Sequence, residues 1–259
     1  MKEFTSHANH SFCWIDLATT DLDAAKNFYG KLFGWDVFED SDDSGERYFM
    51  FTLNSKPVAG LFEKTPEMAE IPPHWMPYIT TEDMDAVLGK VEGAGGAIIA
   101  PKHAFGDAGS KAMISDSVGA YVALWQPGEH IGTVYKYIPG SMSWTEHASH
   151  KMMDAIVFFE KVFDWVGKTD MYGEMNYTTF TAGEEMVCGM YEMPEGMKDI
   201  PPHWLTYFAV EKIDDSLNIV KENGADILMD KAYIQGVGHF AVIRDPQGSV
   251  FGLIEGEEM

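Results

Sequence analysis

Apolar residues recur at two alternating periods along the chain. From Phe12 to Ala18 they alternate as in a half-buried strand. From Asp21 to Phe33 the apolar positions Leu22, Ala25, Phe28, Tyr29, Leu32 and Phe33 fall at helical spacing, so that segment is predicted as a helix with one buried face. Thr20 is its expected N-cap and Gly34 its stop. Strands follow at Trp35–Glu39, Tyr48–Asn54 and Pro57–Phe62, the last two closed into a hairpin by Asn54-Ser55-Lys56. The order then restarts: a strand at Trp75–Thr80, a helix at Asp83–Ala94 ended by Gly95-Gly96, and strands at Ala97–Lys102, Ser110–Asp116 and Ala120–Gln126.

The whole of this pattern occurs twice. Ile71-Pro72-Pro73-His74-Trp75 returns as Ile200-Pro201-Pro202-His203-Trp204, an offset of 129 residues. Phe28 to Trp35 pairs with Phe158 to Trp165 at an offset of 130, and Gly60, Gly95, Asp116 and Gly119 each have a copy at 129. Register kept over such a distance marks a duplicated module. The predicted organisation is α+β: a first module at 8–130, a linker at 131–142 and a second module at 143–259, each built from two βαβββ units that form a curved mixed sheet with a cleft.

Charge narrows the partners. Against 18 basic residues stand 41 acidic ones, a formal net charge of −23, which repels nucleic acid and anionic membranes. Arg47 and Arg244 are the only arginines, so the guanidinium forks that clamp carboxylates and phosphates are scarce. A neutral or cationic small molecule is the favoured ligand. No apolar run is long enough to span a bilayer, and the first residues lack a signal-peptide stretch; with Cys13 and Cys188 in separate modules, a disulfide framework is not expected and a cytoplasmic protein is. A monomer or a homodimer, with module packed on module, is expected.

The strand order, the aromatic-ended helix Phe28-Tyr29…Phe33-Gly34-Trp35 and the turn Asp245-Pro246-Gln247-Gly248, with its degenerate copy Asp116-Ser117-Val118-Gly119, resemble the vicinal oxygen chelate superfamily. That group holds glyoxalases, extradiol dioxygenases and bleomycin-resistance proteins. Trp14 to Thr19 and Trp125-Gln126-Pro127-Gly128 are similar to a two-module, glyoxalase-like bacterial subgroup. The resemblance implies metal ligands on the first, fourth, fifth and eighth strands of a module. Those positions fall on Trp14, Gly60, Met76 and Ala123, and on Trp144, Gly189, Leu205 and Gly252. None of these side chains suits a divalent ion, so no metal cofactor is expected.

Strand alternation places Trp14 with Asp16, and Trp144 with Glu146, on one face. Asp16 and Glu146 are the candidate catalytic or cation-pairing carboxylates, with a structural role at the cleft floor as the competing reading. His74 and His203 are candidate rim residues or loop anchors. Trp75, Tyr78, Trp204 and Tyr207 are candidate aromatic lining or simply core. Glu146, His147 and His239 would make a second-module metal set, but adjacent Glu146 and His147 must face opposite sides of a strand. Glycine-rich phosphate loops and serine nucleophile elbows are absent. Three functions remain: metal-independent binding of a small apolar or cationic molecule in detoxification or resistance, a divalent-metal lyase or dioxygenase, or a structural module whose clefts are filled.

Overall fold

A computed structural model describes residues 3–41, 47–172 and 175–257. Its elements run β1 Phe12–Thr19, α1 Leu22–Phe33, β2 Asp36–Ser41, β3 Arg47–Leu53, β4 Lys56–Glu63, β5 His74–Thr80, α2 Met84–Val91, β6 Ala97–Phe105, β7 Gly109–Ser115 and β8 Tyr121–Pro127. The second half repeats them as β9 Met142–Ser149, α3 Met152–Phe163, β10 Val166–Tyr172, β11 Met175–Ala182, β12 Glu185–Glu192, β13 His203–Ala209, α4 Ile213–Glu222, β14 Asp226–Ile234, β15 Gly238–Arg244 and β16 Val250–Gly256. Two mixed eight-stranded sheets result, ordered β2-β3-β4-β1-β5-β8-β7-β6 and β10-β11-β12-β9-β13-β16-β15-β14.

Asp21, rather than Thr20, caps α1: its carboxylate accepts from the Ala24 amide at 2.9 Å. Carboxylates at this position also favour the positive end of the helix dipole, and Asp83 caps α2 the same way through Ala86. The second helix is shorter than its apolar pattern suggests, passing at Glu92–Ala94 into a 3-10 turn before Gly95 in the left-handed region.

One face of each sheet is covered by its own module's helices, and the modules meet through α1 against α4, α2 against α3, and the central strands β5 and β13. The first large core joins α1 and the β1–β4 half of module one to Phe208, α4 and Phe251 of module two. The second joins α2 and the β7–β8 half of module one to α3, Trp165 and Phe180. The two modules therefore share both cores, and the links between them exchange symmetrically. Trp35 Nε1 donates to the Gly140 carbonyl at 2.7 Å, and its copy Trp165 donates to the His10 carbonyl at 3.0 Å.

The Asp-containing turns are held across the same junction by different groups. Each carboxylate takes three backbone amides of its own turn on Oδ1. The Tyr29 hydroxyl donates to Asp245 Oδ2 at 2.8 Å while accepting from Trp75 Nε1 at 3.0 Å. Module two has Phe159 where module one has Tyr29, and Asp116 Oδ2 is met instead by His147 Nε2 at 2.6 Å.

Candidate functional site

The uncovered face of each sheet carries the candidate chemistry. Pairing registers set Asp16 level with Gly60 and Met76, and Trp14 level with Tyr78, which is in turn level with Ala123. In module two, Glu146 lies level with Gly189 and Leu205, and Trp144 with Tyr207, itself level with Gly252. Cross-strand partners share a face, so all the family's ligand positions point into the two clefts. Their side chains are indole, thioether, alkyl or hydrogen, and this donor set does not fit a divalent ion. Among the described residues no group of three His, Cys, Asp or Glu could hold a metal.

Beside those positions lies a carboxylate wrapped by phenols. In module one, Asp16 Oδ1 accepts from Trp14 Nε1 at 2.8 Å and from the Tyr48 hydroxyl at 2.7 Å, and Asp16 Oδ2 accepts from the Tyr78 hydroxyl. Lys111 on β7 brings Nζ to 3.6 Å from Asp16 Oδ2 and to 4.8 Å from the Tyr78 ring centroid. In module two the Tyr177 hydroxyl donates to Glu146 Oε1 at 2.7 Å and accepts from Trp144 Nε1 at 2.8 Å. Tyr207 supplies a further hydrogen bond to Glu146. Among the described ion pairs none reaches Glu146.

Both constellations depend on a glycine. A Cβ at Gly60 would overlap the Asp16 carboxylate and the Tyr48 hydroxyl, and one at Gly189 would overlap the Tyr177 hydroxyl. The bare backbone on β4 and β12 is what lets a tyrosine from the next strand reach across to the carboxylate.

Electrostatically the phenols are fixed as donors. Burial first, then the neighbouring carboxylate, pushes Tyr78, Tyr177 and Tyr207 well above the usual phenol range. Burial also raises the Glu146 carboxyl above its ordinary value, against the lowering effect of its two tyrosine hydrogen bonds.

The two clefts differ in access. In module one Trp14, Asp16, Tyr78, Ala123 and Trp125 are all buried. The end of module one lies over them: Trp125 Nε1 donates to the His130 carbonyl at 2.7 Å, and the His130 ring stands edge-on to Trp14 at 4.6 Å. In module two Trp144, Glu146, Tyr177, Phe240 and Ile254 are each partly open to solvent. The copy of Trp125 is Ile254 and that of Ala123 is Gly252, so the second cleft has smaller walls.

Six of the ten predicted residues are brought together in pairs of three: Trp14, Asp16 and Tyr78, and Trp144, Glu146 and Tyr207. Trp75 and Trp204 are corrected. Both are buried in the shared cores, on the faces away from the clefts, because a strand turns residues an odd number of positions apart to opposite sides. His74 and His203 stand level with Ala18 and Ala148 at the cleft ends. Each bonds back through Nδ1 to a carbonyl of its own proline loop, at Pro72 or Pro201, at 2.9 Å, and burial lowers both imidazoles. The Glu146–His147–His239 set is split: His147 is in the core, and His239, level with Glu255, lies on the strand face opposite Phe240 and the cleft. Sequence reasoning missed Tyr48, Tyr177, Lys111 and Phe240. The tyrosines were detectable as a pair at the repeat offset of 129.

Comparison with known proteins places the fold. Residues 11–124 match the model of the glyoxalase/bleomycin resistance protein/dioxygenase superfamily. Over 249 residues the sequence is 39% identical to the Mycobacterium tuberculosis protein named "Putative glyoxylase CFP32", covering 93% of each chain. The chain belongs to the glyoxalase/bleomycin resistance protein/dioxygenase superfamily. A second relative, the anthracycline biosynthesis protein DnrV of Streptomyces peucetius, is 29% identical over 256 residues, covering 93% of this chain and 92% of its own. The Mn(II)-bound glyoxalase of Novosphingobium aromaticivorans shares the fold at a TM-score of 0.68 and 16% identity, over 96% of this chain and 83% of that one. The 2,3-dioxygenase LapB of Pseudomonas sp. KL28 does so at 0.67 and 12%, over 97% and 94%.

Proposed function

We propose that this superfamily member binds a small apolar or cationic molecule in the cleft of module two, without a metal, in a detoxification or resistance role. The observation that carries the reading is Glu146: a carboxyl at the cleft floor, partly open to solvent, ringed by the Tyr177 and Tyr207 hydroxyls and the Trp144 indole. Residues of those types offer a flat apolar wall with a few placed polar groups, the usual make-up of a small-molecule site. The same carboxyl is the group positioned for proton transfer on a bound carbonyl compound. The first cleft is scaffold in this reading, since its own Trp125, His130 and Lys111 occupy it.

The relatives named for anthracycline biosynthesis suggest a flat aromatic ligand, and a fluorescent anthracycline is the first probe. Titration should give one saturable equivalent per chain. Glu146→Gln should weaken it by about tenfold or more, the worth of one charge-assisted hydrogen bond, while Asp16→Asn leaves it within about threefold. Two equal equivalents, or binding indifferent to Glu146→Gln, would refute the assignment to module two. Stoichiometric zinc, nickel, iron or manganese in protein purified without chelator would overturn the metal-free part.

A further inference from the structure

The two clefts carry similar carboxylate–phenol boxes, and besides their differing walls they differ in a charge that faces the box. On the seventh strand of module one stands Lys111; its copy on β15 is Phe240. Lys111 is level with Trp125, and Phe240 with Ile254, so both side chains project on the cleft side of the sheet. In module one the box is complete: the ammonium sits beside Asp16 and over the Tyr78 ring, at the distances of a weak ion pair and a cation–π contact. In module two the ring centroid of Phe240 lies 6.4 Å from that of Tyr207, packed edge to face. The carboxyl and the phenols are retained there, and the ammonium is not.

Resting on the reading of module two as the ligand site, we propose that its ligand carries an ammonium group that takes the place Lys111 Nζ holds in module one. Phe240 and Tyr207 then face the cation, and Glu146 pairs with it. Lys111 is in effect a tethered model of the ligand's head group, and the Lys111/Phe240 difference determines which cleft is open to a free cation. The surrounding charge agrees: a chain of net charge −23 attracts cations to its surface.

The test uses the full-length protein and two small probes with the same ring, protonated 2-naphthylmethylamine and neutral 2-naphthylmethanol, titrated by calorimetry. The ammonium should bind roughly tenfold or more tightly than the alcohol, as expected for a partly desolvated charge pair. Phe240→Lys should bring that ratio close to one by installing an internal ammonium, and Glu146→Gln should do the same without adding bulk. If the alcohol binds wild type as well as the ammonium does, the cation inference is wrong while the site stands. If neither binds, the site reading falls with it. A reciprocal measurement does not depend on Phe240→Lys folding. Relative to sodium chloride of equal ionic strength, methylammonium chloride should raise the thermal midpoint of Lys111→Ala, with two open boxes, by more than it raises that of wild type, with one. Equal responses to the two salts in Lys111→Ala would remove the claim that the box selects an ammonium.

Discussion

At the residue scale, the junction turns show how one duplicated feature is satisfied by unrelated chemistry. Asp245 and Asp116 are both buried, and each needs a donor from the opposite module for Oδ2. Leu17 is the module-one counterpart of His147, so His147→Leu imports a side chain already tolerated at the copied position. It would nonetheless leave Asp116 Oδ2 without its partner in the core, at a cost of about 2–4 kcal/mol. Chemical denaturation measures this, and a loss under about 1 kcal/mol would mean the pair is dispensable. Glu146 supplies a second residue-scale prediction. Its carboxyl is raised by burial, so the folded state holds the proton more tightly than the unfolded one, and the stability it contributes is full below the ordinary glutamate range. That contribution is lost as pH rises from there through the raised value. The ionisable groups facing it are Tyr177, Tyr191 and Tyr207, with Cys188 behind β12, all pushed up and neutral in this window. Midpoints measured from pH 4 upward should therefore fall in wild type relative to Glu146→Gln; parallel curves would contradict the raised carboxyl.

At the element scale, the helices and strand order were readable because each carries its own signal. The i, i+3, i+4 spacing in α1 buries Leu22, Ala25, Phe28, Tyr29, Leu32 and Phe33 as expected, and the repeat then doubles every assignment. Strand faces were readable only one strand at a time. Trp14 and Asp16 share a face by simple alternation, yet Trp75 and Tyr78, candidate lining from the same strand, lie three positions apart, and the structure puts them on opposite sides. Contacts between strands were not legible at all. That Tyr48 reaches Asp16, or that Lys111 reaches the same carboxylate, depends on the β3–β4–β1 and β7–β8–β5 registers, and a local alternation pattern carries no information on register between distant strands. The metal-ligand positions were legible because a family resemblance supplied the register that the pattern could not.

At the scale of the molecule, duplication has produced one folding unit with two sheets. Each large core mixes residues from both modules: Phe28, Tyr29 and Trp35 pack with Phe208 and Phe251 in one, and Phe12 packs with Trp165 and Trp204 in the other. Each module's helices cover part of its own sheet, and separating the modules would open both large cores. Surface ion pairs such as Lys90–Asp164, at 2.9 Å, also cross the junction, but exposed pairs of this kind add little; the apolar cores dominate. A chain built this way should unfold in one cooperative step even though it contains two similar modules, because unfolding either module opens both shared cores. Tryptophan fluorescence and far-ultraviolet circular dichroism followed across a denaturant titration should therefore give coincident transitions, and His147→Leu should shift both curves together. Two separated transitions, with only one displaced by that substitution, would show that the modules are energetically independent and that the shared cores contribute less than their composition implies.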